Sequence, residues 1–190
     1  MLNRVAPLLV VLSFACATKP PQLAYCPPAP FANCTQAKCA LQSDGNYTCW
    51  CVQDTRYSAT LWAGSQAASC KDATATYLQS RYHPTTAYQV CDSTAANQTW
   101  AWCLGVSCKP STNPDDPNSK ENIACTCIPV PSGVQAVPYI VTTDTWSAEN
   151  CAFKYWSSAT PADVAQATSF LQKQPGLANL KPPTLLQPPK

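Results

Sequence analysis

Six cysteines, Cys26, Cys34, Cys39, Cys49, Cys51 and Cys70, are followed by a second six, Cys91, Cys103, Cys108, Cys125, Cys127 and Cys151. The spacings are C-x7-C-x4-C-x9-C-x-C-x18-C and C-x11-C-x4-C-x16-C-x-C-x23-C, and the two gaps that stay the same, x4 and x1, are the short ones. The likeness extends past cysteine. Phe31-Ala32-Asn33-Cys34 parallels Trp100-Ala101-Trp102-Cys103, and Tyr47 and Val52 flank one C-x-C as Ile123 and Ile128 flank the other. Trp62 and Trp146 each precede a sixth cysteine, and Tyr77 to Ser80 parallels Tyr155 to Ser158. The pattern predicts a small disulfide-rich fold, mainly β and irregular, with two tandem six-cysteine repeats plus one C-terminal helix. Each repeat is too short to bury enough apolar surface by itself. Disulfides supply the missing stability, about 2 to 4 kcal/mol each, by restricting the unfolded chain.

Cysteine usage also bears on compartment. Residues 1–17 read as an export signal, with Arg4, then the apolar run Val5-Ala6-Pro7-Leu8-Leu9-Val10-Val11-Leu12, then small residues. Two cleavages fit. Ala15-Cys16-Ala17 satisfies the A-x-A rule for ordinary signal removal, while Leu12-Ser13-Phe14-Ala15-Cys16 resembles a bacterial lipobox in which Cys16 is lipidated. Of 13 cysteines, setting Cys16 aside leaves 12, all within the repeats, and an even number suits disulfide pairing. No later segment is apolar for long enough to span a membrane, so the mature chain is expected to be soluble or lipid-anchored. It would be an outer-membrane or periplasmic lipoprotein, or secreted. A net charge of +2 without a basic block indicates neither nucleic acid nor an anionic membrane surface as partner.

Along the chain, 1–17 is the signal, 18–25 a linker carrying Lys19-Pro20-Pro21, and 26–70 the first repeat. Residues 71–90 form an inter-repeat linker, 91–160 the second repeat, 161–174 a helix and 175–190 a Pro-rich tail that is extended or disordered. Gln42 to Asn46 is a turn signal, and Tyr47 to Val52 alternates as a strand, placing Tyr47, Cys49 and Cys51 on one face and Thr48, Trp50 and Val52 on the other. The corresponding turn in the second repeat expands to Pro110–Ser119, whose three prolines make it a surface loop. Val134 to Val141, interrupted by Pro138, suggests an edge strand. Thr160-Pro161-Ala162-Asp163 opens a helix, with Val164, Ala167, Thr168 and Leu171 on one face.

The order of the first five cysteines, with Gly45-Asn46-Tyr47-Thr48 leading into Cys49-Trp50-Cys51, resembles an epidermal-growth-factor-like module. That resemblance implies the pairs Cys26–Cys39, Cys34–Cys49 and Cys51–Cys70, and in the second repeat Cys91–Cys108, Cys103–Cys125 and Cys127–Cys151. The last loops, 18 and 23 residues long, exceed the family's pattern, and its closing glycine and aromatic are missing. The whole pattern is also similar to tandem cysteine-rich exported proteins of bacteria, over residues 26 to about 160.

Little reactive chemistry is indicated. Clustered cysteines hold zinc in some proteins, but an exported chain meets an oxidising compartment and disulfides are expected. No metal or cofactor is expected. His83 is the single histidine, in Tyr82-His83-Pro84, and no nucleophile motif accompanies it. It reads as a turn residue; an enzyme would require a concave site joining His83 to carboxylates. Asp115 and Asp116 are the adjacent acid pair, read as loop solvation with a weak calcium site as alternative. Sequons stand at Asn33, Asn46 and Asn97, and the terminal Lys190 is similar to the lysine that joins some lipoproteins to peptidoglycan. Two stretches, Asp44 to Tyr47 and Pro110 to Asn122, would suit a protease-inhibiting loop. The candidate binding residues are Trp50, Trp100 and Trp102. Trp50 stands where the second repeat has Thr126, so the common scaffold does not require it, and tryptophan is the side chain most often found at binding hot spots. The expected function is therefore an exported, disulfide-stapled binding or envelope-structural protein without enzymatic activity, whose partner is a protein or an envelope glycan. A protease inhibitor and an unrecognised enzyme are the alternatives.

Overall fold

The two C-x-C segments lie side by side. The structure, a computed structural model, describes residues 22–71, 76–92, 99–130, 137–152 and 155–189. The export signal, Cys16, Asn97 and Lys190 lie outside the described residues. The first cysteine set contributes β1 (Leu23–Cys26), β2 (Phe31–Asn33), β3 (Cys39–Leu41), β4 (Tyr47–Asp54), β5 (Ser58–Leu61) and a helical turn, α1 (Gln66–Ser69). Two strands, β6 (Leu78–Arg81) and β7 (Ala87–Cys91), follow in the segment expected to be a linker. Then come β8 (Trp100–Trp102), β9 (Ser107–Pro110), β10 (Ile123–Val130), β11 (Tyr139–Thr142), a 3-10 turn (Ala148–Cys151), α2 (Pro161–Gln172) and β12 (Thr184–Leu185).

Strands β4 and β10 pair antiparallel with Cys49 opposite Cys125. Strands β2 and β3 both run antiparallel to β4, through Asn33–Val52 and Cys39–Cys49. Strands β8 and β9 do the same on β10, through Trp102–Ile128 and Cys108–Cys125. Strand β6 then runs parallel to β2 at Ala32–Ser80 and antiparallel to β9 at Leu78–Cys108. The ladder β4–β2–β6–β9–β10 thereby returns to β4. Closing a sheet in this way removes exposed edges. After the second set, Ala101 bridges Ser157 in parallel and Lys38 bridges Trp156 antiparallel, which reproduces the contacts of Ser80 and Gln79. Ser157, one residue before the counterpart given by sequence alignment, therefore matches Ser80.

The alternation read from Tyr47–Val52 holds: Tyr47, Cys49 and Cys51 are buried, as are Ile123, Cys125 and Cys127 on β10. Those faces meet in one core cluster with Ala32, Cys34, Ala37, Cys39, Ala101, Cys103 and Cys108. Four disulfides fill this space: Cys34–Cys51, Cys39–Cys49, Cys103–Cys127 and Cys108–Cys125. Cys26–Cys70 and Cys91–Cys151 complete the six. In each set the first cysteine joins the sixth, the second the fifth and the third the fourth. The pairing implied by the growth-factor resemblance, Cys26–Cys39, Cys34–Cys49 and Cys51–Cys70 with Cys91–Cys108, Cys103–Cys125 and Cys127–Cys151, is thus overturned. Strand register is the reason. Cys39 stands directly opposite Cys49 with Cα atoms 4.0 Å apart, while residues 34–38 bulge between β2 and β3 and bring Cys34 to within 4.6 Å of Cys51 by Cα.

Outside the closed ladder, β1 pairs with β5, and β7 lies between β11 and β12. Strand β11 begins directly after Pro138 and occupies a sheet edge, as that proline requires. Thr160 caps α2: its hydroxyl accepts the Asp163 amide at 3.1 Å while the Asp163 carboxylate accepts the Thr160 amide at 2.9 Å, a reciprocal box in which the cap is worth about 1 kcal/mol. Val164, Ala167, Thr168 and Leu171 form its buried face. The Pro-rich tail is more ordered than its composition suggests. Gln172 Nε2 donates to the Leu180 carbonyl at 2.8 Å, and β12 runs parallel to β7 from Ala87 to Tyr88.

Candidate binding groove

One face of the closed sheet carries a groove of about 590 Å3. Its floor and near wall come from the first cysteine set: Asn33, the bulge residues Thr35, Gln36 and Ala37, and Trp50, Cys51 and Val52 of β4. The far wall is formed by His83 to Thr86 before β7, by Thr142 to Asp144 at the end of β11, and by Glu121 from the long loop before β10. Segments remote in sequence therefore meet here, from the closed ladder and from the separate β11–β7–β12 sheet.

Asp54, at the end of β4, organises one end. Its carboxylate accepts Arg56 Nε at 3.0 and 3.1 Å and Nη2 at 2.6 Å. It also accepts the amides of Thr55 and Arg56 at 2.7 and 3.0 Å and Asn33 Nδ2 at 3.0 Å. Burial alone would raise the Asp54 pKa, but the hydrogen bonds from Arg56 and Asn33 prevail and hold it well below the usual carboxylate range. Asn33 Oδ1 in turn accepts the Thr35 amide at 3.1 Å, fixing the start of the bulge. The Asn33 amide is thus engaged on both sides.

His83 is 8% exposed, its Nδ1 lying 2.7 Å from the Tyr57 carbonyl and its ring 4.8 Å from the Tyr57 ring. A carbonyl only accepts, so Nδ1 carries the proton and the neutral ring offers Nε2 as acceptor. Burial lowers the His83 pKa, with Arg56 acting the same way, and the Tyr57 carbonyl opposes it. Glu121 Oε2 accepts Asn113 Nδ2 at 3.4 Å, and Asp144 Oδ1 accepts the Thr86 hydroxyl at 3.0 Å. The hydroxyls of Thr85 and Thr142, two more lining residues, are buried without a hydrogen-bond partner, which costs free energy unless water or a ligand supplies one.

The candidate tryptophans separate. Trp50 lines the groove with 9% of its surface exposed, so most of the indole acts as packing and one part as wall. Trp100, 4% exposed, is buried with Cys91, Tyr139 and Val141 in a second core cluster and has no surface to offer a partner. Trp102 packs partly against that cluster and lines a smaller niche of about 90 Å3. The niche lies under α2 and is largely apolar, with Leu23, Leu104, Ile140, Val164 and Ala167 in its walls.

His83, expected as a turn residue before Pro84, lies in a loop and shares a concavity with two carboxylates. Asp115 and Asp116 stay in the loop, where Asp115 donates its amide to Asn113 Oδ1 at 3.0 Å. Cys34, Cys108 and Cys125 hold their sulfurs within 4.8 Å of one another, as do Cys49, Cys103 and Cys127. All six are consumed in disulfides, and a disulfide sulfur is not the thiolate that binds zinc. Sequence reading missed Arg56, Glu121 and Asp144. No local motif marks them; the signal was their scarcity, since only 12% of residues are charged. No family model, curated protein or solved structure matches this chain.

Proposed function

We propose that this is an exported, disulfide-stapled binding protein, built from a duplicated six-cysteine unit, that holds a glycan of the cell envelope in the groove beside Trp50. The observation that carries the reading is the lining itself. Amide, hydroxyl and carboxylate groups from Gln36, Thr85, Thr86, Glu121 and Thr142 border one aromatic wall, and the Thr85 and Thr142 hydroxyls lack a partner of their own among the described residues. A sugar ring presents hydroxyls around its rim and apolar C–H faces, and needs both kinds of contact. Six disulfides and the lack, among the described residues, of any helix long and apolar enough to cross a membrane are compatible with export.

Gln36 and Thr86 are exposed, so Gln36→Ala combined with Thr86→Ala is expected to lower retention on isolated envelope material about tenfold with little change in melting temperature. Unchanged retention would remove the groove from the binding surface. A second reading is favoured by one observation, the meeting of His83 with Glu121 and Asp144 in a single concavity. It expects glycan oligomers to be cleaved by the wild-type chain and left intact by His83→Gln, as read by mass spectrometry. The inhibitor alternative gains less: Asp44 to Asn46 forms a closed turn, with the Asp44 carboxylate accepting the Asn46 amide at 2.9 Å.

A further inference from the structure

Resting on the groove reading above, we infer that the ligand is a glycan bearing free amino groups, an ammonium-carrying amino-sugar polymer. The charge balance of the lining points there. Four ionisable side chains line the groove: Arg56, His83, Glu121 and Asp144. Arg56 is already neutralised by the two-oxygen contact with Asp54, the ion pair found among the described residues. Burial, with Arg56 acting the same way, favours the neutral His83 ring over the opposing Nδ1 contact with the Tyr57 carbonyl. Among the described residues, Glu121 and Asp144 receive neutral donors, the Asn113 amide and the Thr86 hydroxyl. Two carboxylates on the groove wall are therefore without a cationic partner among the described residues.

A ligand that fills the groove displaces the water that screens those carboxylates, so their interaction with its charges strengthens. An acidic glycan adds like charge and is rejected. A fully N-acetylated glycan is accommodated without compensating either carboxylate. An amino sugar supplies hydroxyls for the neutral polar lining and an ammonium for Glu121 or Asp144, which makes charge the selective element and the hydroxyls the common one. A lysine-rich peptide would satisfy the carboxylates but leave the Gln36 amide and the Thr85 and Thr142 hydroxyls without matching groups.

The test titrates the full mature chain with three probes at about pH 6.5, below the ordinary amino-group range and above the lowered His83 pKa: a glucosamine oligomer, the same oligomer fully N-acetylated, and an oligolysine of equal length. The glucosamine oligomer is expected to bind about tenfold more tightly than the acetylated one, with the advantage shrinking as salt is added. In the double variant Glu121→Gln, Asp144→Asn, the ratio is expected to fall to about one. Acetylated oligomer binding as tightly as the free amine would overturn the inference and leave the groove reading standing. Oligolysine matching the glucosamine oligomer would also overturn it, because charge alone would then be recognised. Binding of neither glycan would remove the groove reading and the inference together.

Discussion

Asn33 and Thr35 flank the second cysteine of the first set just as Trp102 and Leu104 flank that of the second, and the two cavities differ along the same line. Around Asn33 lies the polar groove of about 590 Å3; around Trp102 and Leu104 lies the apolar niche of about 90 Å3, and Thr35 borders both. The backbone on the two sides follows the same plan: a short strand on a long one, a bulge carrying an inward cysteine, a parallel bridge to a later serine. What changes is the flanking residues, and what has been laid over them. Helix α2 closes the apolar side, whereas the polar side is bordered by residues 83–86 and by 142–144 at the end of β11. Core register thus determines where a concavity forms, and outward neighbours determine what it can hold.

If the two sides share one scaffold, matching disulfides should count for nearly the same stability. Removing Cys39–Cys49 or Cys108–Cys125 by paired substitution with alanine is expected to cost about 2 to 5 kcal/mol in either case. Their loops span 10 and 17 residues, so loop-closure entropy makes the second costlier by only about 0.5 kcal/mol. Urea unfolding of both variants measures this, and a severalfold imbalance would mean that one half carries the fold. Full reduction, which opens all four core bridges together, is expected to abolish the far-UV dichroism of the folded chain.

The next contrast is Trp50 against Thr126. Trp50 is buried on the groove wall and Thr126 is exposed on the opposite strand. Trp50→Thr is expected to destabilise by about 3 kcal/mol, the order seen when a large core side chain is emptied. Thr126→Trp should stay within about 0.5 kcal/mol. Equal small effects would show that Trp50 contributes surface and no packing, and thermal melts of the two variants decide it.

These differences were unevenly legible in the sequence. Strict alternation over Tyr47–Val52 and the Thr160-Pro161-Ala162-Asp163 start are local signals, and both gave the right element. Disulfide partners were not local: Cys34 and Cys39 can each reach a neighbour on β4, and only the bulge over 34–38, invisible as a spacing, assigns them. Strand β6 escaped notice because Leu78-Gln79-Ser80-Arg81 has no alternation; its buried residues, Ser80 and Arg81, are polar and are held by non-local partners. The Ser80 hydroxyl, for instance, donates to the Cys103 carbonyl. Glu121 joins the groove from the loop before β10 and Asp144 from just after β11, both far in sequence from its floor, so neither announces itself by its neighbours.

The smallest expected effect concerns His83, which belongs to the polar side and has no counterpart in the niche. Its folded pKa is lowered, chiefly by burial, from an ordinary value of 6.5. Below that value the unfolded chain takes up a proton that the folded chain resists, so the unfolded state binds more protons and stability falls as pH drops. The contribution is fully present above pH 6.5 and is lost progressively below it, toward the lowered folded pKa. Asp54 acts in a separate window, below its ordinary 3.8, because its folded pKa is depressed. His83→Gln keeps a donor that can reach the Tyr57 carbonyl and cannot titrate. Melting temperatures of wild type and variant, followed from neutral pH down to about pH 5, should diverge in slope just under pH 6.5, with the variant flatter. Parallel slopes would mean that the ring is hydrated in the folded chain and that the groove is wetter at this end than its geometry indicates.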